Sequence, residues 1–231
     1  ILEYTLGREL DDSQPVIPTL RTLLTGEQLG DGTAIYATPL TTLIIDHAIQ
    51  ATIASQSRSL DTFLESVEAA TTATKNAFGL GLLANNSNLF TASPVLSTQT
   101  DQNASLAYRT AIEVFAAVAD KLKQESDSNG GPIDSDRLVS LIAEDMLDGM
   151  MDGKNDSIAI PELTELTETR IQEILTTEPT ALTIPGTDTA ISDLDEIVIA
   201  ELEQLGASVI PQTLNKPAPT QVSLNVIISE P

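Results

Sequence analysis

Glu144, Asp148, Asp152 and Asp156 recur at every fourth position of the chain. On a helix that spacing stacks the carboxylates on one face, where each like-charged pair costs about 0.2–0.5 kcal/mol. Gly149 and Gly153 stand between them, and each weakens a helix interior by roughly 1 kcal/mol. Either the helix ends inside this segment or a cation neutralises it. Calcium takes roughly six to eight oxygen ligands from carboxylates, carboxamides and main-chain carbonyls. Asp148, Asp152, Asn155 and Asp156 are the candidate metal ligands, with Ca²⁺ as the ion they suit. The EF-hand pattern fails, since counting from Asp152 puts Lys154, Ser157 and Leu163 at its third, sixth and twelfth positions. The competing reading is a glycine-punctuated helix end whose acids face water.

Other chemistry is sparse. All the methionines, Met146, Met150 and Met151, fall in the same segment; without Cys or His nearby they read as adaptable core filler. His47 is the single histidine. No Gly-x-Ser-x-Gly elbow presents a nucleophile to it, so a structural role is expected. A glycosidase needs two carboxylates, and 34 acids always supply a pair. The lack of Trp, with three Tyr and four Phe, leaves few platforms for a sugar. Neither a phosphate-binding Gly-x-x-x-x-Gly-Lys-Ser/Thr loop nor a Gly-x-Gly-x-x-Gly turn occurs. No catalytic residue is expected.

A net charge of −23 argues against nucleic acid and anionic membranes, both of which require clustered Lys and Arg. Residues 121–231 carry −15 of it, with 21 acids against 6 bases. The 41% hydrophobic content is enough for a core. No run approaches the ~18 apolar residues of a membrane span. No secretory leader is visible, and a start at Ile1 points to a processed chain or a fragment. There is no Cys, hence neither disulfide nor thiolate metal site.

The elements that must position these groups are legible as a change of period. Leu2, Tyr4 and Leu6 alternate with polar residues, predicting a strand; Thr19–Thr25 predicts a second, with Leu20 and Leu24 opposite Arg21. Gly30-Asp31-Gly32 reads as a turn. Thr38-Pro39 is a helix start, followed by Leu40, Leu43, Ile44, Ala48 and Ile49 at helical spacing. A second helix is predicted from Ser59 towards Ala77, with Phe63, Leu64 and Val67 inward. Residues 79–104 read as a long loop. Further helices are predicted over Ser105–Lys123, from Asp134 into the acidic segment, from Pro161 through Leu163, Leu166, Ile171, Ile174 and Leu175, and from a Ser192 cap to Gly206. Val222, Leu224, Val226 and Ile228 alternate again after the Pro-containing stretch 215–220.

The expected fold is therefore mainly α: a bundle of about six helices flanked by β-strands at both termini. The expected division is a β segment at 1–36, a helical bundle at 37–206, and a linker with a terminal strand at 207–231.

Four motifs carry a resemblance. Ala37-Thr38-Pro39-Leu40-Thr41-Thr42-Leu43 resembles the "TPLTTL" helix start of large surface lipoproteins and adhesin-like proteins of Gram-negative bacteria. Ala77-Phe78-Gly79-Leu80 resembles their "AFGL" landmark, Tyr108-Arg109 with Ala111 is similar to their central helix, and Asp145-Met146-Leu147-Asp148-Gly149 with Asp152-Gly153 looks like their "DLxDGxxDG" landmark. The order and spacing match over about 35–155. The resemblance implies an exported, non-catalytic helical module beside immunoglobulin-like or carboxypeptidase-regulatory-like sandwiches, with residues 1–36 as the last strands of such a sandwich.

An unpaired apolar strand aggregates if left open. The terminal strands Leu2–Leu6 and Val222–Ile228 are therefore expected to pair with neighbouring domains or with copies of the chain. The expected function is a bacterial cell-surface structural or adhesive module, or an extracellular filament building block. The alternative is a calcium-dependent carbohydrate- or protein-binding module that uses the 79–104 loop.

Overall fold

A computed structural model of the chain describes residues 1–5, 16–79, 83, 88–95, 102–129, 133–164 and 182–204. Among them the fold is mainly helical with a few short strands. β1 (Leu2–Thr5) pairs antiparallel with β2 (Thr19–Thr22), Glu3 lying opposite Arg21. The α-helices that follow are α1 (Gly26–Asp31), α2 (Pro39–Ala54), α3 (Leu60–Phe78), α4 (Gln102–Asn129) and α5 (Ser135–Asp145). A 3-10 turn (Met146–Asp148), a small hairpin of β3 (Lys154–Asn155) and β4 (Ile158–Ala159), and α6 (Pro161–Thr164) come next. A 3-10 turn at Ile191–Asp193 leads into α7 (Leu194–Gln204).

The local signals for helix starts hold at Thr38, Ser59 and Asp134. The Thr38 hydroxyl accepts from the Thr41 amide, the Thr41 hydroxyl answers the Thr38 amide, and Pro39 opens the first turn. Ser59 caps α3 and Asp134 caps α5. Several boundaries differ. The expected turn at 30–32 is the end of α1, which closes on Gly32 at φ 72°. β2 stops at Thr22 rather than Thr25 because Thr22 lies opposite Leu2, where β1 begins, and no described strand residue faces those beyond it. The central helix begins at Gln102 and runs to Asn129, so the long loop ends before 104. Leu64 is 38% exposed and does not face the core. Ser192 lies inside a 3-10 turn and is not a cap. The expectations for Leu6 to Pro15, for the helix beyond Thr164, for the helix stop at Gly206 and for the strand Val222–Ile228 lie outside the described residues.

The main correction concerns α2. Its apolar residues predict a stripe, yet every residue from Leu40 to Ala48 is buried. It is a central helix wrapped by β2, α3, α4 and α5. Polar Thr41, Thr42, Asp46 and His47 are carried inside with it, and a buried polar group costs free energy unless it is paired. Phe78 of α3 meets Phe115 of α4 edge to face, centroids 4.7 Å apart.

Candidate functional site

Helix α5 ends at Asp145, before the acidic ladder can form. The chain then reverses at Gly149 (φ 86°) and Gly153 (φ 79°), left-handed conformations that favour glycine. Asp156 takes φ 55° in the turn joining β3 to β4, a conformation Asp tolerates better than most residues.

The carboxylates are used within this loop. Asp148 accepts the Met150 amide at 2.9 Å on Oδ1 and the Asp156 amide at 2.7 Å on Oδ2. Asp152 accepts the Lys154 amide at 3.1 Å, and its other oxygen lies 3.7 Å from the Lys154 ammonium. Asn155 sits in β3 opposite Ile158. So Asp148 meets the main chain of Asp156, Asp152 meets Lys154, and Glu144 belongs to the preceding helix. Among the described residues no three His, Cys, Asp or Glu side chains converge in a group fit to hold a metal ion. Met146 and Met151 are core and Met150 is 45% exposed.

The organiser of the loop is Asp145, which the spacing argument passed over. It is 1% exposed, and its Oδ1 accepts three successive amides, Asp152 at 3.2 Å, Gly153 at 2.8 Å and Lys154 at 3.0 Å. Burial pushes its carboxyl up, the three amides pull it down, the Asp152 charge pushes it up again, and the net is about 7. The sequence signal was its position as the first acid of the double Asp-Gly landmark, one step off the four-residue ladder.

A second buried network joins the β1–β2 hairpin to the helices. The Arg21 guanidinium meets Asp46 of α2 at 2.5 Å and exposed Glu3 at 2.8 Å. Ser140 of α5 donates to the other Asp46 oxygen at 3.0 Å. The Arg21 main chain is gripped as well: its amide donates to Thr42 at 2.9 Å and its carbonyl accepts from Thr41 at 2.7 Å. Asp136 of α5 accepts the Thr19 amide at 3.2 Å and the Thr19 hydroxyl at 2.6 Å. Thr42 and Asp46, one turn apart among the apolar residues Leu43, Ile44 and Ile45, were the readable sign of this polar seam.

Beyond it, the Tyr108 hydroxyl donates to the Leu89 carbonyl at 2.8 Å and meets Thr38 at 3.0 Å, tying α4 to the cap of α2. Burial raises its phenol above the usual range. His47 is 2% exposed and neither ring nitrogen completes a hydrogen bond. Burial drops its imidazole to about 4, opposed by the nearby backbone of Met146.

A groove of about 700 Å³ opens between α1, α3 and the segment around Asn88. Leu23, Val67 and Phe90 contribute its apolar lining, Gln28, Lys75 and Asn88 its polar one. Burial pulls the Lys75 ammonium below its usual value. No described helix is long and apolar enough to cross a membrane. The chain matches no protein-family model, no curated protein and no solved structure.

Proposed function

We propose that the chain is a non-catalytic structural module of a bacterial cell surface, a rigid building block of an extracellular assembly whose partners are neighbouring domains or further copies. The observation that carries this reading is the seam between hairpin and bundle. A short β segment is bound to two helices through its main chain and side chains, by Thr41, Thr42, Asp46 and Asp136, with Ser140 bracing Asp46. Such bonding transmits load from a β segment into a helical body without a hinge. The motif set over 35–155 and the Cys-free, aromatic-poor composition support the same reading. Pulling a single molecule from its first and last residues tests it. Hairpin and bundle should yield in one cooperative event, and a separate low-force release of the hairpin would sink the rigid-module reading.

A second reading has the groove in its favour. A cleft with an apolar floor and a few placed polar groups is the usual form of a ligand site, and Asn88 and Phe90 come from the segment expected to recognise ligands. In that reading the module binds a carbohydrate or protein, and Ca²⁺ on Asp148, Asp152, Asn155 and Asp156 stiffens the acidic loop.

A further inference from the structure

Among the described residues, the β1–β2 sheet has one closed edge and one open edge. In an antiparallel ladder two opposed residues either exchange both main-chain hydrogen bonds or neither. Arg21 gives its amide to Thr42 and its carbonyl to Thr41, so its groups point away from β1. Thr19 gives its amide to Asp136 on the same side. The side chains of α2 and α5 therefore occupy the outer edge of β2 as a strand would. Glu3 and Thr5, opposite Arg21 and Thr19, must direct their own amides and carbonyls away from β2. Among the described residues nothing bonds to those groups. With the edge of β2 occupied, the edge left for a further strand among the described residues is that of β1.

The two faces specify what fits there. Leu20 and Thr22 of β2 are buried and Leu2 lies opposite Thr22, whereas Glu3 and Arg21 form the wetter face. An added strand needs one aliphatic and one polar face. Val222, Leu224, Val226 and Ile228 supply the first, Ser223, Asn225 and Ser229 the second, with Ile227 the one exception. Residues 221–229 contain no charge and no proline. Edge strands that avoid pairing carry both. In a chain of charge −23, an uncharged segment of this length can approach another copy with little repulsion.

We propose that the outer edge of β1 accepts residues Val222–Ile228 of a second copy as an added strand, making the assembly head to tail. This rests on the building-block reading. Sedimentation of the full chain, of a chain lacking 221–231, and of Glu3→Pro/Thr5→Pro tests it, with a synthetic peptide of residues 221–231 as probe. The prolines remove outward amides and the exposed Glu3 partner of Arg21, a surface ion pair worth little, so the melting midpoint should shift only slightly.

The full chain should form concentration-dependent oligomers, and each altered chain should be monomeric. The two altered chains, mixed, should form one-to-one dimers. The shortened chain should bind the peptide, and the two prolines should weaken that binding at least tenfold. If the prolines unfold the chain, a peptide carrying Asn225→Pro and Val226→Pro makes the same test from the other side and should bind at least tenfold more weakly. Oligomers that survive both alterations would overturn the strand addition and leave the building block standing. A full chain monomeric at every concentration would overturn both. A monomer that loses stability on deletion of 221–231 would place the strand within its own chain and overturn the second copy.

Discussion

Asp145 shows how one residue can decide a segment. Three amides share one of its oxygens, that of Gly153 fully buried and those of Asp152 and Lys154 partly so; the Lys154 amide has Asp152 as a second acceptor, and leaving a buried donor unsatisfied costs about 1–3 kcal/mol. Asp145→Ala should destabilise the fold by about 3 kcal/mol in chemical denaturation, and Asp145→Asn, which keeps an acceptor, by much less. The pH dependence separates it from His47. Asp145 titrates near 7 when folded and near its ordinary value, about 3.9, when unfolded. Its contribution is complete below the unfolded value and is lost as pH rises towards 7. His47 runs the other way: its folded value of about 4 lies below the unfolded one, so its contribution is present above about 6.5 and is lost as pH falls towards 4. The two slopes oppose each other over the same window. Relative to the native chain, Asp145→Asn should gain stability as pH rises from 4 to 7, and His47→Gln should lose it. Equal pH profiles for all three chains would show that neither group titrates as its burial dictates.

At the scale of elements, the hairpin is held by a half-buried ion pair. Arg21 is 26% exposed at its side chain and Asp46 only 6%. Removing one partner of a buried pair costs roughly 3–5 kcal/mol, and less where water reaches the other. Asp46→Ala should therefore lose about 2–3 kcal/mol in equilibrium unfolding. Arg21→Met with Asp46→Leu should recover most of that loss, because no charge is then stranded. Thr38 caps α2 and also meets Tyr108; Thr38→Val should cost about 1–2 kcal/mol, above the ordinary cap value of ~1 kcal/mol. A loss equal to that of Ser59→Ala, a plain cap on α3, would remove the Tyr108 contact from the account.

At the scale of the molecule, charge dominates. A net −23 makes the compact state repel itself, and added monovalent salt shortens the range of that repulsion, to about 10 Å at 0.1 M. The melting midpoint should rise with NaCl. Calcium binding at the acidic loop predicts more: millimolar CaCl₂ should raise the midpoint beyond NaCl of equal ionic strength, and Asp148→Asn/Asp156→Asn should abolish the excess. Identical midpoints in CaCl₂, chelator and matched NaCl would remove the metal from the second reading.

The sequence by itself determined what depends on neighbours along the chain. The caps at Thr38, Ser59 and Asp134, the first strand, and the break of the helix at the Gly-punctuated acids all follow from residues within a few positions of one another. Hydrogen bonds at caps and φ angles at glycines are local quantities. Only the tertiary structure decided that α2 is buried all round, that its Asp46 finds Arg21 and Ser140, and that Asp145 rather than the acids of the ladder organises the loop. Burial is set by what other elements lay against a helix, and the cost of enclosing a carboxylate is met by donors that no spacing along the chain reveals.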